Sequence, residues 1–544
     1  MKKRYLLAII PLSLLIYGCK KKSTTKTHKD TTKIITKATT KKTTQNITTK
    51  TNYDELLKDY YYKLDGDDVI IFGVKNQDAI ELVVPEGVTK IIDYDDDGYY
   101  AFRYLENLEK ITLPKSLKEI GEYSFSGCDK LVEIYNLSNI NLTLNDEEDE
   151  TCITENAYVI HKSLSEESNI VRFNGFSFIH TNSVSKLFHY TGNEKSIVTP
   201  DSYLHNGETI TNYDIANGAF MDKEMVTLVL SDAVNVIESY AFGGCYNLSS
   251  VTVGKNVTEI KSHAFGSGNL LDDNTTVGSY NECNRLVEVI NKSSLEIKKG
   301  YKTNGRIAKN ALIVKDENST SSVVIKDDFV FLKTDDNAYL TCYFGNEETV
   351  ITPDSFVFGN ETIDSYIIND YALAYKDNIE KVIISNSATS IEQGIIFNDQ
   401  FHRRNDTVEE IIIGNNVTFI QANAFAESYE LKKLTLGSKV KNIKIGSFSY
   451  CSELIEVVIL SEETLELDEK SFFKPNNSDY KPIEKVFFKG TKETWDNWPS
   501  DKKGINNSQL FDATIYFYSA EKPIVEGNYW CIVNDEIIIW EKAE

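Results

Sequence analysis

The sequence predicts a mainly β solenoid built from stacked units of 23 residues. The clearest unit begins at Leu431 with apolar residues in the order L-x-x-L-x-L, and the next copy begins at Leu454. The same template begins at several other positions: Leu108, Met225, Leu248 and Val408, with looser copies at Ala79 and Ile379. A unit this short cannot bury its apolar side chains alone, so each copy must cover the next. This pattern is typical of a leucine-rich-repeat solenoid.

A second level of repetition divides the central part of the chain into two long modules. The segment that begins at Leu131 recurs 155 residues later at Leu286, and the segment that begins at Gly192 recurs 153 residues later at Gly345. Solenoids lengthen without starting a new core, so we expect one elongated body rather than several separate domains. The predicted boundaries are these: a solenoid at 108–480, with modules at about 131–285 and about 286–454.

Each module begins with a repeat-like strand and then departs from the 23-residue template. In the first module the departing segments are Ala157 to His161, Val171 to Ile179 and Val184 to Tyr190. Their alternation of apolar and polar residues, broken by Asn-Gly and Gly-Asn pairs, predicts short antiparallel strands. We therefore expect each module to carry a small β meander inserted into the solenoid.

The amino terminus has the organisation of an export signal. A basic start at residues 2–4 precedes an apolar run, residues 5–17, that is too short to span a bilayer comfortably. The run ends in a segment that resembles the lipobox of bacterial lipoproteins. The resemblance implies that residues 1–18 are a signal peptide and that Cys19 becomes the acylated amino terminus, attached to the outer face of the cytoplasmic membrane. An uncleaved helical anchor is the alternative, and both interpretations place the rest of the chain outside the cytoplasm.

Residues 19–52 are predicted to be a flexible spacer. They are mostly threonine and lysine and contain no aromatic residue, so they cannot form a hydrophobic core. The lysines next to Cys19 would lie beside anionic lipid headgroups and strengthen the attachment of the lipid anchor.

The folded part is predicted to begin near Tyr53, with an amino-terminal cap and a first imperfect repeat at 53–107. We expect a helix from Tyr53 to Tyr62, a strand from Val69 to Val74 and a repeat beginning at Ala79. A cap must differ in sequence from the repeats because one of its faces meets water.

An acidic insertion in this cap matches the opening of a calcium-binding loop. Asp93, Asp95 and Asp97 alternate with other residues and Gly98 follows, as in loops whose carboxylates converge on a hard cation. Tyr104 stands where such a loop has a bidentate acid. The sequence therefore favours a solvated acidic loop over a calcium site.

Four of the eight cysteines share one position of the repeat, three residues before the next leading apolar residue: Cys128, Cys245, Cys283 and Cys451. Cysteines on neighbouring turns cannot all pair with one another, and no C-x-x-C cluster of a metal site occurs. A free cysteine behaves as a small apolar side chain, so we predict four buried free thiols.

Charge and motif content argue against two functional classes. The chain has 58 basic and 82 acidic residues, a net charge of −24, whereas a nucleic-acid binder needs a basic stripe. The seven histidines show no motif of nucleophilic or metal-dependent catalysis, and no glycine-rich phosphate loop occurs. We therefore expect neither a nucleic-acid partner nor an enzyme, and no cofactor.

The carboxyl-terminal segment, residues 481–544, differs in composition from the repeats. It contains all four tryptophans of the chain: Trp495, Trp498, Trp530 and Trp540. Large side chains can cover the last open face of a solenoid, which predicts a closing cap. The alternative is an exposed aromatic platform that stacks on sugar rings.

The repeat resembles that of the BspA-like leucine-rich-repeat surface proteins of bacteria. The resemblance rests on the 23-residue template, on the Ala-Phe pairs before the shared cysteine position, such as Ala241-Phe242, and on the tail rich in tyrosine and tryptophan. It covers nearly everything from Ala79 to Trp540. Family tails often have a histidine where Cys531 stands here. The resemblance implies display on the cell surface and adhesion to host or neighbouring-cell molecules, and it brings no catalytic residues.

One residue in the strand of each repeat is predicted to point away from the core onto the inner face of the solenoid. These residues are β-branched rather than charged: Thr112, Val229, Thr252, Ile383, Ile412 and Thr435. An uncharged strip of this kind suggests that a partner covers it. We therefore predict an adhesin-like binding protein for an extracellular protein or glycan. The alternative functions are a passive envelope component and a glycan-binding protein that uses the tryptophan-rich module.

Overall fold

The computed structural model describes residues 53–92, 102–144, 146, 148–266, 282–396, 406–475, 480–534 and 536–540. In this part of the chain the structure is a mainly β solenoid with only short helices, which confirms the predicted fold class. The described residues belong to two compact units that divide between His189 and Tyr190. No helix among them is both long and apolar enough to cross a lipid bilayer.

The first unit contains the elements α1 (Tyr53–Leu56), β1 (Tyr60–Asp65), β2 (Asp68–Val74), β3 (Glu81–Val83), β4 (Lys90–Ile91), β5 (Lys110–Leu113), β6 (Glu119–Ile120), β7 (Glu133–Asn136), β8 (Val159–His161), β9 (Ile170–Phe173), β10 (Phe176–His180) and all but the last residue of β11 (Ser185–Tyr190). The repeat strands form two parallel ladders, because each turn gives one strand to each. We call β3-β5-β7-β8 the first front sheet, and β2-β4-β6, with β1 antiparallel to β2, lies behind it.

The cap at the start of the first unit differs from the predicted one. The helix α1 ends at Leu56, and the tyrosines at positions 60–62, which we predicted to be helical, begin β1. These tyrosines favour a strand, and the turn at Gly66 brings β1 back against β2 as an antiparallel hairpin. The hairpin covers the open end of the first turn. The predicted strand from Val69 to Val74 is confirmed.

The second unit begins with the elements β12 (Ser196–Val198), β13 (Tyr203–His205), β14 (Glu208–Ile210), β15 (Tyr213–Ile215), β16 (Thr227–Val229), β17 (Val234–Ile237), β18 (Ser250–Val253), β19 (Glu259–Ile260), β20 (Glu288–Asn291) and β21 (Ile313–Lys315), with a 3-10 turn at Asn304–Arg306. The second front sheet has the strand order β12-β16-β18-β20-β21, and β15-β17-β19 pair in parallel behind it.

The rest of the second unit contains β22 (Val323–Lys326), β23 (Phe329–Lys333), β24 (Ala338–Tyr343), β25 (Thr349–Ile351), β26 (Phe356–Phe358), β27 (Glu361–Ile363), β28 (Tyr366–Ile368), β29 (Lys381–Ile383), β30 (Ala388–Ile391), β31 (Glu410–Ile412), β32 (Phe419–Ile420), β33 (Lys433–Leu436), β34 (Asn442–Ile443), β35 (Glu456–Ile459), β36 (Glu466–Leu467), β37 (Lys485–Phe488), α2 (Lys492–Asp496), a 3-10 turn (Ser500–Lys502), α3 (Ser508–Phe511), β38 (Thr514–Tyr518), β39 (Tyr529–Val533) and β40 (Glu536–Ile539). The third front sheet has the order β25-β29-β31-β33-β35-β37-β38-β39-β40.

The inserted meanders are present, but they begin later than predicted. Strand β8, which we assigned to a meander, pairs in parallel with β7 and is the last repeat strand of the first front sheet. The antiparallel strands follow it as β9 and β10, and their counterparts are β22 and β23, to which β24 adds a third antiparallel strand. Alternation over so few residues does not distinguish parallel from antiparallel pairing, because both place successive side chains on opposite faces.

Phenylalanines from successive turns form stacked columns inside the solenoid. Phe220, Phe242 and Phe265 have ring centroids 5.0 and 4.8 Å apart, and Phe425 and Phe448 lie 5.2 Å apart. These rings are 0–2% exposed, so each buries a large apolar area. The ring that ends the template of one turn thus packs directly on the corresponding ring of the next turn.

The four cysteines at the shared repeat position are buried free thiols, as predicted. The Cys245 Sγ–H donates to the carbonyl of Phe220 at 3.0 Å, and Cys128 makes the same bond to Phe102 at 2.8 Å. Burial raises the pKa of Cys128 and of Cys451 to about 12, so both thiols are protonated and unreactive at neutral pH. Each thiol therefore links its own turn to the turn before it.

We expect Cys245→Ser to cost no more than about 1.5 kcal/mol of unfolding free energy, because a hydroxyl at this position finds a carbonyl acceptor. Ser428 already stands at the equivalent position and donates to the Phe425 carbonyl at 2.9 Å. Cys245→Leu should cost about 1–3 kcal/mol, since the site has no room for a larger side chain. Denaturant midpoints measure both values, and a serine variant less stable than the leucine variant would contradict this account.

Candidate binding surface

Outward-facing residues of four neighbouring strands form a continuous row on the third front sheet. The pairing register places Ile351 beside Ile383, Ile383 beside Ile412, and Ile412 beside Thr435. Their chain neighbours point the other way, so that Val382 is fully buried in the core. We call the four outward residues the isoleucine strip. Three of the six residues predicted for the inner face belong to it.

The row that contains the isoleucine strip is exposed at one end and covered at the other. Ile351 is 58% exposed, and the next three members are half-buried. The row continues to Val458 and Phe487, which are 5% and 1% exposed. Trp530 covers this end, with its ring centroid 5.6 Å from that of Phe487. The part of the row available to a partner is therefore the isoleucine strip itself.

Charged residues run parallel to the isoleucine strip, two positions earlier in each strand. Lys381 binds Glu410 at 2.6 Å, and Lys433 lies 3.7 Å from Glu456. Opposite charges on adjacent strands thus largely neutralise one another along this row. The sheet therefore presents an apolar row beside a paired row of mixed charge.

A second set of acidic residues stands where the strands begin. Glu348 and Glu380 are exposed, and neither forms an ion pair with any described residue. They precede Ile351 and Ile383 by three residues, roughly 10 Å along an extended chain.

The other predicted residues lie on the two shorter front sheets. Thr112 and Val229 are half-buried and neighbour the exposed edge residues Val83 and Val198, which are 66% and 62% exposed. Thr252 is only 9% exposed, so its predicted availability to a partner is wrong. The local template is the same at Thr252, and only the surrounding chain decides whether the position is open.

Buried glutamates accept hydrogen bonds from the chain segments that follow the last strands of the first two front sheets. Glu288 accepts hydrogen bonds from Ser321 Oγ at 2.6 Å and from the Ser322 backbone at 2.7 Å, and Lys315 Nζ lies 2.9 Å away. In the first unit, Glu133 accepts from Ser168 and the Asn169 backbone and faces His161. Both glutamates are fully buried. They hold the chain at the point where it leaves the repeats, and sequence analysis missed them.

A buried cluster in the first unit contains serine, histidine and glutamate side chains but has a structural geometry. Glu109 accepts from Ser177 Oγ and faces His189 Nδ1, each at 2.8 Å, and it binds Arg172 at 2.6 Å. Burial opposes ionisation, but these partners outweigh it and hold the pKa of Glu109 below its ordinary value. The serine donates to the carboxylate and not to the histidine, which is not the arrangement that activates a serine nucleophile.

Three of the four tryptophans belong to the core of the carboxyl-terminal cap. Trp495, Trp498 and Trp530 are 8%, 3% and 0% exposed, and the first two pack against Phe488 and Phe511. Trp498 Nε1 donates to the Leu465 carbonyl at 3.0 Å. The cap is confirmed, and an aromatic platform for sugars is not available from these buried rings.

Two sequence predictions concern residues outside the described part of the chain. These are the acylation of Cys19, together with the signal peptide and spacer, and the weak calcium candidates Asp93, Asp95 and Asp97. Among the residues that the structure does describe, no cluster of three or more histidine, cysteine or acidic side chains could hold a metal ion.

A protein-family model and several solved structures match this chain. The family model, described as BspA type leucine rich repeat region (6 copies), matches residues 75–195, 213–299 and 366–495, more than half of the chain. No curated protein matches.

Three of the matching structures are leucine-rich-repeat or surface proteins by their titles. The first is a leucine-rich repeat protein from Eubacterium ventriosum, with 17% identity, 67% of this chain and 98% of that chain covered, and a TM-score of 0.28. The pneumococcal vaccine antigen PcpA has 14% identity, 62% and 99% coverage and a TM-score of 0.26. A leucine rich cell surface protein from Faecalibacterium prausnitzii has 13% identity, 62% and 99% coverage and a TM-score of 0.24. At these TM-scores the chains do not superimpose as wholes.

Proposed function

Since the chain belongs to the family of BspA-type leucine-rich-repeat proteins, we propose that it is a non-catalytic protein of the bacterial cell surface that binds an extracellular macromolecule through the isoleucine strip. Proteins of this family are typically surface proteins without catalytic activity. The observation that supports binding at this site is the apolar row of Ile351, Ile383 and Ile412, of which the first is exposed and the other two are half-buried, next to a row of paired charges. A passive envelope component would have no use for such a row.

The contrast between the two ends of the row supports this assignment. The closed end is covered by Trp530 of the same chain, whereas no described residue of the chain covers Ile351 to the same extent. A sheet face of parallel strands also offers a partner one side chain from each successive turn, which suits an extended macromolecular surface. The function of the solenoid in this proposal is to hold these side chains in fixed register.

We predict that Ile383→Lys combined with Ile412→Lys abolishes adhesion without unfolding the protein. Both side chains lie outside the core, so each change should alter the unfolding free energy by only about 0.5 kcal/mol. Two lysines would remove the apolar contact and add charges that a partner must desolvate. Binding of the mature protein to a panel of immobilised matrix proteins and cell-wall glycans measures the effect.

A matched variant separates this effect from a general change of charge. Ile325 and Ile445 are 39% and 46% exposed and do not belong to the isoleucine strip. Their double replacement by lysine adds the same charge and should leave adhesion unchanged. Adhesion that survives the Ile383 and Ile412 changes but is lost with this control would show that the strip is not the binding site.

The proposal also includes attachment to the membrane through a lipid on Cys19. Support comes from the order of the amino-terminal residues, in which a basic start and a short apolar run precede Gly18 and Cys19. We predict that Cys19→Ala releases the protein from the membrane fraction, as measured by cell fractionation. Cys152→Ala serves as the control for loss of a thiol and should remain attached. Membrane association of Cys19→Ala equal to that of the unmodified protein would contradict lipidation.

A further inference from the structure

The outward row of the first front sheet is exposed at its start and covered at its end. The pairing register places four residues side by side in this row, one from each strand: Val83, Thr112, Tyr135 and His161. Val83 is 66% exposed, whereas Tyr135 and His161 are buried and stack with ring centroids 4.4 Å apart. The segment that follows β8 lies against these two rings, and the Tyr135 hydroxyl donates to its Glu166 carbonyl at 3.1 Å. We call this segment, residues 162–168, the strap.

Polar contacts fasten the strap to the sheet. His161 lies between two carboxylates, with Nε2 2.9 Å from Glu133 Oε1 and Nδ1 3.2 Å from Glu166 Oε2. The other oxygen of Glu166 accepts from the first two backbone N–H groups of the strap at 2.8 and 2.9 Å, so this side chain also closes the turn of the strap. Leu164, the apolar residue of the strap, is 66% exposed. The strap is thus held by hydrogen bonds and charge rather than by apolar packing.

The two contacts of His161 require a protonated ring. Both ring nitrogens donate only in the charged imidazole, whereas in a neutral ring the lone pair of one nitrogen would face a carboxylate oxygen. Histidine ordinarily loses its charge between about pH 5 and 8. The contact that fails is the one to Glu166, because this side chain is 47% exposed and can turn to water, whereas Glu133 is fully buried and must keep its donor.

The neighbouring titratable groups limit this contact to mild acid. In the described part of the chain, the titratable groups that contact His161 are Glu133, Glu166 and, from β7, Tyr135. Burial raises the pKa of Tyr135 to about 12, so it stays neutral, and Glu81 farther along the sheet is already paired with a lysine. The bond from His161 and the backbone donors hold the pKa of Glu166 below its ordinary value. The contact is therefore complete only after Glu166 has lost its proton and before His161 has lost its own.

The second front sheet provides an internal comparison. Lys315 occupies the position of His161, at the third residue of the last strand, and Glu288 occupies that of Glu133. Lys315 Nζ lies 2.9 Å from Glu288 and donates to a carbonyl of the following segment, residues 316–322, at 2.7 Å. Lysine carries its charge throughout the range in which histidine titrates. The two modules therefore share one fastening and differ in whether its cation titrates.

From this geometry we propose that the strap is a pH-dependent cover, closed in mild acid and released at its start when His161 loses its proton. The end of the strap stays tied, because Ser168 Oγ and the Asn169 backbone donate to Glu133 at 2.6 Å whatever the charge of the imidazole. Release of the turn uncovers Tyr135 and His161 and so lengthens the row that a macromolecule can reach on the first front sheet. This response is separate from binding at the isoleucine strip.

Hydrogen exchange of the full chain, read by mass spectrometry, tests this proposal. The probe peptides contain the strap and, as the internal control, residues 316–322, and each rate is corrected for the intrinsic pH dependence of exchange. We expect protection of the strap to fall about tenfold between about pH 5.5 and about pH 8, the factor that corresponds to one pKa unit of coupling, and that of residues 316–322 to change less than about twofold. No fall in the strap, or an equal fall in both segments, would overturn the proposal.

Variants of the chain locate the titrating group. Glu166→Gln can pair with His161 in either charge state, because its amide both donates and accepts, so the change in protection should shrink to less than about twofold. Glu166 lies at the surface, so this variant should fold even if His161→Lys, which copies the second module and should respond alike, does not. His180→Gln, a matched loss of a histidine in the same unit, should leave the tenfold change intact. A response that persists in Glu166→Gln, or that disappears in His180→Gln, would place the titrating group elsewhere and refute the proposal.

Discussion

Replacement of Arg285 by methionine is expected to destabilise the second unit by about 3–5 kcal/mol. Arg285 is fully buried, and no carboxylate among the described residues pairs with it. Its guanidinium donates to the Tyr371 carbonyl at 2.8 Å, to Asn247 Oδ1 at 3.0 Å and to the carbonyl of Ala374, and it lies over the ring of Tyr375. Methionine would fill much of the space but leave these oxygens without donors.

The position of Arg285 indicates where in the second unit the loss of stability should be concentrated. Asn247 belongs to the turns of the second front sheet, and Tyr371 and Ala374 belong to those of the third, so the guanidinium joins two runs of repeats within one unit. We expect limited proteolysis to cut the variant between β21 and β25 before the rest of the unit. Chemical denaturation should show a lower first midpoint.

Two further variants test the role of the guanidinium. Arg285→Lys keeps the charge but not the planar fork, and it should recover only part of the stability. Lys492→Met removes a cation from an exposed pair with Asp496 and should cost less than about 0.5 kcal/mol. An Arg285→Met variant as stable as Lys492→Met would show that the buried guanidinium contributes nothing net.

Replacement of Glu288 by alanine is expected to cost about 3–5 kcal/mol, because it strands the charge of Lys315 and the Ser322 backbone N–H in the interior. The Lys315 side chain is only 14% exposed, so water cannot easily replace the lost carboxylate. Thermal or denaturant unfolding measures the change. Glu296→Ala, which removes an exposed ion pair to Lys298, is the matched control and should cost less than about 1 kcal/mol.

A double-mutant cycle separates the ion pair from the hydrogen bonds of Glu288. If the stranded charge dominates, Glu288→Met combined with Lys315→Met should recover much of the stability lost in Glu288→Met alone. If no recovery occurs, the bonds from Ser321 and Ser322 hold the chain and the ion pair is secondary. A Glu288→Ala variant no less stable than Glu296→Ala would refute the structural role altogether.

The candidate surface shows which features a repeat template can predict: it predicts the face on which a side chain lies, but not whether that side chain is exposed. The template places Ile383, Ile412 and Thr435 on one face of the sheet because side chains alternate along a strand, and the register between turns follows from the shared template position, although the turns differ in length. The same reasoning places Thr252 on such a face, where it is buried. Exposure depends on segments that come from elsewhere in the chain, and a local pattern contains no information about them.

The sequence by itself determined the solenoid, the buried free cysteines and the capping role of the tryptophan-rich terminus. Each of these follows from short-range spacing, since stacked turns must bury the same template positions whatever lies around them. Only the tertiary structure decided that Trp530 covers one end of the row, that Glu288 and Glu133 tie down the departing chain, and that Arg285 joins two runs of repeats. These contacts link residues about 30 to 90 positions apart without periodicity, and burial of a polar group becomes favourable only when such distant partners meet.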